Sequence, residues 1–117
     1  MNLIHPYLFS ILSEIPSDLE IILGNICRVA GISKDKVQSK SRKAEYVLIR
    51  QVYSYVARQI TGHSFREIGE LVGVSHSNTL QAVNKVENYI KTKDYQIVNL
   101  LQKVENLNFN TKVQVNN

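Results

Sequence analysis

Side chains able to read nucleic-acid bases are concentrated between positions 75 and 85 of the chain. Hydroxyl, amide and imidazole groups exchange hydrogen bonds with base edges, and a lysine one turn later can reach a phosphate. Helical spacing places all of them in the sector opposite an apolar stripe. We therefore predict a helix edge that reads DNA, formed by Ser75, His76, Ser77, Asn78, Gln81 and Lys85.

The residues before this edge have the signature of a helix-turn-helix. Ser64 and Glu67 are spaced as a capping box that opens a short helix. Gly69 lets a second helix approach closely, and Gly73 can take the positive φ of a tight turn. Ser75 is the predicted N-cap of the second helix, which in helix-turn-helix proteins enters the major groove of DNA. The apolar stripe predicted to pack this helix is Leu80, Val83, Val86 and Ile90.

A basic loop, residues 39–43, precedes the longest predicted helix, residues 44–60. Such a run is often only a solvated face, but beside a helix-turn-helix it is well placed to meet phosphate or a minor groove. We favour the second interpretation. The predicted buried stripe of the long helix is Val47, Leu48, Val52, Tyr55, Val56 and Ile60. The residues predicted to fall off this stripe are Tyr46, Arg50, Gln51 and Tyr53.

Helical spacing also recurs on both sides of this region. We predict an extra helix within residues 1–16, whose apolar face packs on the body or forms a homodimer, and the sequence leaves both open. A second helix follows the capping box of Ser17 and Glu20 and ends at Gly31, a short helix lies near 34–38, and a last helix spans 94–107. The asparagine-rich residues 108–117 are expected to be disordered. These patterns predict one all-α domain over residues 1–107, a compact bundle of about six helices.

Composition places the chain among ordinary globular proteins. It has 117 residues, 44% of them hydrophobic, a net charge of +4 and a pI near 9.3, which permits a polyanionic partner. The single cysteine, Cys27, lies among apolar residues and is expected to be a buried hydrophobe in a reducing compartment. No apolar run is long enough for a membrane span, and no secretion signal is visible. We therefore expect a cytoplasmic protein.

The densest motifs, SKSRK, IRQVYSYVARQITGHSFREIG and HSNTLQAVNKV, have a familiar order. Residues 19–105 resemble the C-terminal DNA-binding domain of the bacterial replication initiator DnaA, a helical relative of the Trp-repressor fold. In that family a basic loop precedes a long helix, and Ser-x-x-Glu-Ile-Gly opens the helix-turn-helix. An Asp-His-Thr/Ser-Thr-Val signature then starts the recognition helix.

The resemblance implies where the predicted contacts lie on a duplex. It puts the basic loop at the minor groove, Arg50 and Gln51 near the backbone, and His76 and Ser77 at the bases. It also implies a bacterial or phage protein associated with the nucleoid. The full predicted DNA-binding set is Lys40, Arg42, Lys43, Arg50, Gln51, Arg66, Ser75, His76, Ser77, Asn78, Gln81 and Lys85.

Four positions depart from the family pattern. Val74 stands where an arginine precedes the signature, Ser75 replaces its aspartate, Asn78 its second threonine, and Ile49 a proline. Because Asn78 can pair bidentately with adenine, we expect binding to persist with a changed preferred sequence. No G-x-x-x-x-G-K-[ST] loop occurs in the sequence, so we expect a free-standing domain without the initiator's ATPase.

Two functions of different classes follow. The first is a sequence-specific double-stranded DNA-binding protein with a regulatory or replication-related role. The second is a protein-interaction module that keeps the fold and has lost specific reading, supported by Val74, Ser75 and the apolar N-terminal helix. Catalysis, a cofactor and a metal are not expected, because the three histidines do not pair with carboxylates or the cysteine at ligand spacing.

Overall fold

The computed structural model describes the backbone of residues 17–116 and the side chains of residues 17–106. Six helices and no strand form this part of the chain, which confirms the predicted all-α fold. The predicted N-terminal helix, and with it the homodimer contact, falls in residues 1–16, outside the described residues. The helices are α1 (Asp18–Ala30), α2 (Lys34–Val37), α3 (Ala44–Ile60), α4 (Phe65–Glu70), α5 (His76–Lys91) and α6 (Tyr95–Asn116).

Serine caps and glycine stops set the helix ends where the sequence predicts them. The Ser64 hydroxyl accepts a hydrogen bond from the Glu67 N–H at 3.1 Å, and the Glu67 carboxylate accepts one from the Ser64 N–H at 2.9 Å. This completes the capping box of α4. Gly31 ends α1 with a φ of 72°, and Gly73 makes the turn before α5 with a φ of 70°. Glycine takes both conformations without a Cβ penalty.

The central helix α3 packs against α1, α2, α4 and α5. Because it is covered on several sides, it buries more than the single predicted stripe. The predictions for Tyr46 and Tyr53 are wrong: both are buried, and the Tyr53 hydroxyl donates a 2.8 Å hydrogen bond to the Ile68 carbonyl. Burial of the phenol raises the pKa of Tyr53. Conversely, Ile60, predicted to be buried, is 57% exposed.

The packing face of α5 is rotated by about one residue from the prediction. Leu80 is 39% exposed, whereas Thr79 is fully buried. Threonine tolerates that position because its hydroxyl donates a 2.8 Å hydrogen bond to the Ser75 carbonyl, which leaves no unsatisfied polar group. The buried residues of α5 are Thr79, Ala82, Val83 and Val86.

Gly69 sets the distance between α4 and α5. A Cβ at this position would overlap both the Thr79 Oγ1 and the Val74 carbonyl oxygen. The Val74 N–H donates a 2.9 Å hydrogen bond back to the Gly69 carbonyl, which closes the turn between the two helices. The predicted close approach at Gly69 is therefore confirmed.

The last helix, α6, packs against α1 and α5 through Ile97 and Val104. It begins after Asp94, whose carboxylate accepts hydrogen bonds from the N–H groups of Gln96 and Ile97. Its backbone stays helical to Asn116, through residues for which the sequence predicts disorder, because no glycine or proline interrupts them. Among the described residues, no helix is both long enough and apolar enough to cross a membrane.

His63 links the start of α1 to the start of α4. Its Nε2 lies 2.9 Å from the Asp18 Oδ1, and its Nδ1 lies 3.5 Å from the Glu67 Oε1. The hydrogen bond with Asp18 is the main cause of a raised pKa at His63, and Glu67 adds to it. The folded chain therefore holds this proton more tightly than the unfolded chain does.

We expect this bridge to stabilise the fold more at pH 6 than at pH 8. A raised folded-state pKa contributes its full stabilisation below the ordinary histidine pKa of about 6.5 and loses it as pH rises through the folded value. The difference in free energy of unfolding between the natural chain and His63→Gln should therefore shrink between pH 6 and pH 8, as measured by urea denaturation. Asp18→Asn should reduce the same pH dependence, and a difference constant across this range would contradict the bridge.

Candidate nucleic-acid interface

A groove beside α3 gathers most of the residues predicted to contact DNA. It has a volume of about 860 Å³. Its walls are the loop after α2, the first half of α3, the turn at residues 72–75 and one side of α5. The predicted contacts that line it are Lys40, Arg42, Arg50, Gln51, Ser75, Asn78, Gln81 and Lys85.

The charge of this groove is of one sign. Lys40, Arg42, Arg50 and Lys85 line it, and none of the described residues lining it is an aspartate or a glutamate. Three of these cations are exposed, and Arg50 is half-buried. A concave surface with four cations and no carboxylate focuses a positive potential, which attracts a polyanion.

The basic loop is ordered by its own serines. The Ser39 hydroxyl donates to the Lys36 carbonyl at 2.6 Å and accepts from the Ser41 N–H at 3.2 Å. The Ser41 hydroxyl in turn accepts from the Lys43 N–H at 3.2 Å. Such side-chain turns hold the backbone of SKSRK while leaving the alternate cationic side chains in solvent.

Arg50 holds this loop to α3. Its Nε donates to the Val37 carbonyl at 2.7 Å, and its Nη2 donates to the Ser39 carbonyl at 2.9 Å. Partial burial lowers the pKa of Arg50, although a guanidinium stays protonated in proteins. Because a guanidinium has five N–H donors, the remaining ones are still available to a ligand in the groove.

A second bond ties the loop to the helix-turn-helix. The Gln38 Nε2 donates to the Leu71 carbonyl at 3.0 Å, immediately before the turn that leads into α5. The sequence analysis did not identify Gln38, because a lone polar residue between a short helix and a loop has no distinguishing pattern. Gln38, Ser39 and Ser41 are the functional candidates that it missed.

The exposed side of α5 divides between two surroundings. Asn78, Gln81 and Lys85 line the groove, whereas His76 faces α4, where its ring meets the edge of Phe65 at a centroid distance of 5.9 Å. Phe65 also carries the Arg58 guanidinium over its ring, 4.2 Å from the centroid. His76 is thus positioned by an aromatic contact on the side of α5 away from the basic loop.

Four predicted contacts lie outside the groove, and all are exposed: Lys43, Arg66, His76 and Ser77. Lys43 differs from its neighbours, because its Nζ lies 3.2 Å from the Glu45 carboxylate. The hydrogen bond to Glu45 is the first cause of a raised pKa at Lys43. Its charge is therefore partly compensated within the protein, unlike those of Lys40 and Arg42.

The departures from the family pattern have structural counterparts. Ser75 caps α5, its hydroxyl accepting a 3.2 Å hydrogen bond from the Asn78 N–H. Val74 is half-buried against the core, and Ile49 is 2% exposed within α3. Ser75 thus keeps the capping role open to an aspartate at the same position, while Val74 presents no charge to a ligand.

Comparison with known proteins matches residues 19–86 to the family described as the bacterial dnaA protein helix-turn-helix. This match spans more than half of the chain. The chain belongs to this family. The matched region includes the basic loop, α3, α4 and the groove-lining part of α5. Membership in the DnaA helix-turn-helix family supports DNA binding as the class of function and a non-enzymatic role.

Relatives with the printed name chromosomal replication initiator protein DnaA include three from distant bacteria. The protein of Pseudothermotoga lettingae is 37% identical over 68 residues, covering 58% of this chain and 15% of its own length. That of Mycoplasma genitalium is 38% identical over 74 residues, or 63% and 17%. That of Oleidesulfovibrio alaskensis is 32% identical over 91 residues, or 75% and 20%. The chain thus spans a fifth or less of the length of these relatives.

Within the part of the chain that the structure describes, no group of three or more histidine, cysteine, aspartate or glutamate side chains is placed to hold a metal ion. Cys27 is buried, and burial raises the pKa of its thiol. A raised thiol pKa disfavours the reactive thiolate. The chemistry on the surface of this DnaA-type domain is that of recognition by charge and hydrogen bonds.

Proposed function

We propose that this protein binds double-stranded DNA, with α5 in the major groove and the loop of residues 39–43 against the adjacent backbone or minor groove. One observation carries the proposal: cations of the loop and amides of α5 line a single groove that contains no carboxylate. Amides suit base edges and cations suit phosphates, so the groove combines the two kinds of contact that duplex recognition needs.

The proposed contacts fall into two groups. Lys40, Arg42 and Lys85 are exposed cations that would neutralise phosphates and contribute affinity for any sequence. Asn78 and Gln81 would read base edges, and an asparagine or glutamine amide pairs bidentately with adenine. Outside the groove, Arg66, His76 and Ser77 would meet the duplex on the opposite side of α5, while Gln51 would contact its backbone.

We propose a replication-related or regulatory role in the bacterial or phage-infected cytoplasm. The support is the printed name of the relatives, chromosomal replication initiator protein DnaA, and membership in their helix-turn-helix family. Val74 and Ser75 alter the edge that starts the recognition helix, so we propose a preferred sequence different from that of the relatives.

Removing two loop cations should weaken duplex binding and its salt dependence together. Each phosphate contact contributes about 0.9 to the slope of log affinity against log salt. The double change Lys40→Ala with Arg42→Ala should therefore lower the slope by about 1.8 and weaken binding to random duplex roughly tenfold or more at 0.15 M salt. Fluorescence anisotropy with a labelled duplex across salt concentrations measures both quantities.

The matched control removes one lysine and one arginine that do not line the groove, through Arg28→Ala on α1 with Lys103→Ala on α6. It makes the same change in net charge and should leave the slope almost unchanged. Equal losses for both double variants would mean that binding follows net charge and would refute the assigned groove. Absence of duplex binding by the natural chain at this salt would refute the proposed function and favour a protein-interaction module.

A further inference from the structure

Two polar side chains connect the parts of the groove that are proposed to contact DNA differently. Gln38 reaches from the end of α2 to the Leu71 carbonyl in the turn of the helix-turn-helix. Arg50 reaches from α3 to the carbonyls of Val37 and Ser39, on both sides of Gln38. The loop is therefore held at three carbonyl positions by two residues.

We propose that Gln38 and Arg50 are positioning residues that fix the basic loop at a set distance from α5, so that both contact one duplex at once. This inference rests on the proposed function. It assigns Arg50 a different main role from the backbone contact that the family resemblance implies. The partner is the same duplex DNA, and what these two residues determine is the relative position of phosphate-binding and base-reading groups.

The chemistry of the Arg50 contact supports positioning. Two of its N–H donors, Nε and one of Nη2, already bond backbone carbonyls, in a half-buried location where an unbonded donor would be costly. A guanidinium can bond two carbonyls from fixed directions, whereas a lysine ammonium is a compact point charge on a flexible stem. Replacing Arg50 with lysine therefore keeps the charge and removes the paired geometry.

Gln38 supports the same role by different chemistry. It carries no charge, it is exposed, and its bond spans residues far apart in the sequence. The loop of residues 39–43 has only local serine turns apart from the two Arg50 and Gln38 attachments. Without those attachments, the loop would keep its local shape but lose its place relative to α5.

The first test measures the free protein, where no DNA contact can contribute. In Gln38→Ala and Arg50→Lys, amide hydrogen exchange over residues 38–43 should become faster than in the natural chain. Exchange in the core of α3 should stay unchanged. Gln96→Ala, an exposed glutamine on α6, is the matched control and should leave the loop as it is. Unchanged exchange in both variants would overturn the positioning role.

The second test is a double-mutant cycle in duplex binding. Gln38→Ala and Arg50→Lys should each weaken binding by about fivefold or more, although neither changes the charge of the protein. Arg42→Ala should cost less in the Gln38→Ala background than in the natural chain, because a displaced loop has already lost part of its contact. Additive losses would indicate independent contacts and refute positioning. If the natural chain binds duplex and both variants bind equally well, positioning fails while the proposed function stands, and if the natural chain binds none, the proposed function itself fails.

Discussion

Replacing Gly69 with alanine is expected to destabilise the fold by about 1–3 kcal/mol, and DNA binding should weaken with it. Alanine favours a helix over glycine by about 1 kcal/mol, so the expected loss must exceed a propensity gain. It does so because the new Cβ would overlap the Val74 carbonyl oxygen, a backbone atom that cannot rotate away, as well as the Thr79 hydroxyl. The spacing between α4 and α5 would have to increase.

A matched change tests whether the effect comes from the contact. Gly24 lies inside α1, and a Cβ there would meet nothing within 4 Å. Gly24→Ala should therefore stabilise the protein by up to about 1 kcal/mol through helix propensity alone. Chemical denaturation of both variants gives the two free energies of unfolding. A Gly69→Ala protein as stable as Gly24→Ala would show that α4 and α5 are not packed as closely as described.

Replacing Asn78 with alanine is expected to cost about 1–3 kcal/mol of binding free energy on the preferred duplex and little on random DNA. This corresponds to a loss of about 5- to 150-fold in affinity. Asn78 is exposed in the first turn of α5, and only its backbone N–H is used in the fold, by the Ser75 cap. Alanine keeps that N–H and is a better helix former, so stability should not fall.

The control for this change is Asn99→Ala, an exposed asparagine on α6 that does not line the groove. It should leave affinity for both duplexes as in the natural chain. Titrations of the preferred and random duplexes in the same buffer give the specificity ratio. Should Asn78→Ala weaken binding to both duplexes by the same factor, its assignment to base reading would be wrong and it would join the phosphate contacts.

The helical elements were predictable because their signals are local. Serine caps, glycine stops and apolar spacing lie within a few residues of each other, and they set α1, α3, α4 and the start of α5 at the positions found. Eight of the twelve predicted contacts line one groove, because the helix-turn-helix pattern fixes the relation of α4 to α5.

What the sequence could not predict depends on distant contacts. Tyr53 looks like a residue off the apolar stripe until its hydroxyl reaches the Ile68 carbonyl. Thr79 looks less buried than Leu80 until its hydroxyl bonds the Ser75 carbonyl. Gln38 has no local signal at all, since its partner lies 33 residues further along the chain. Each of these polar groups is explained by a backbone acceptor that spacing alone does not reveal.

Selection of binding sites from a pool of random duplexes tests the central claim most directly. The loop cations and the α5 amides line a single groove, so we expect enrichment of a contiguous site in which the bases read by α5 lie within about one helical turn of the segment contacted by the loop. Enrichment should disappear when Asn78 and Gln81 are both replaced with alanine. A pool that shows no enrichment with the natural chain, under conditions where the chain is folded, would contradict sequence-specific DNA binding.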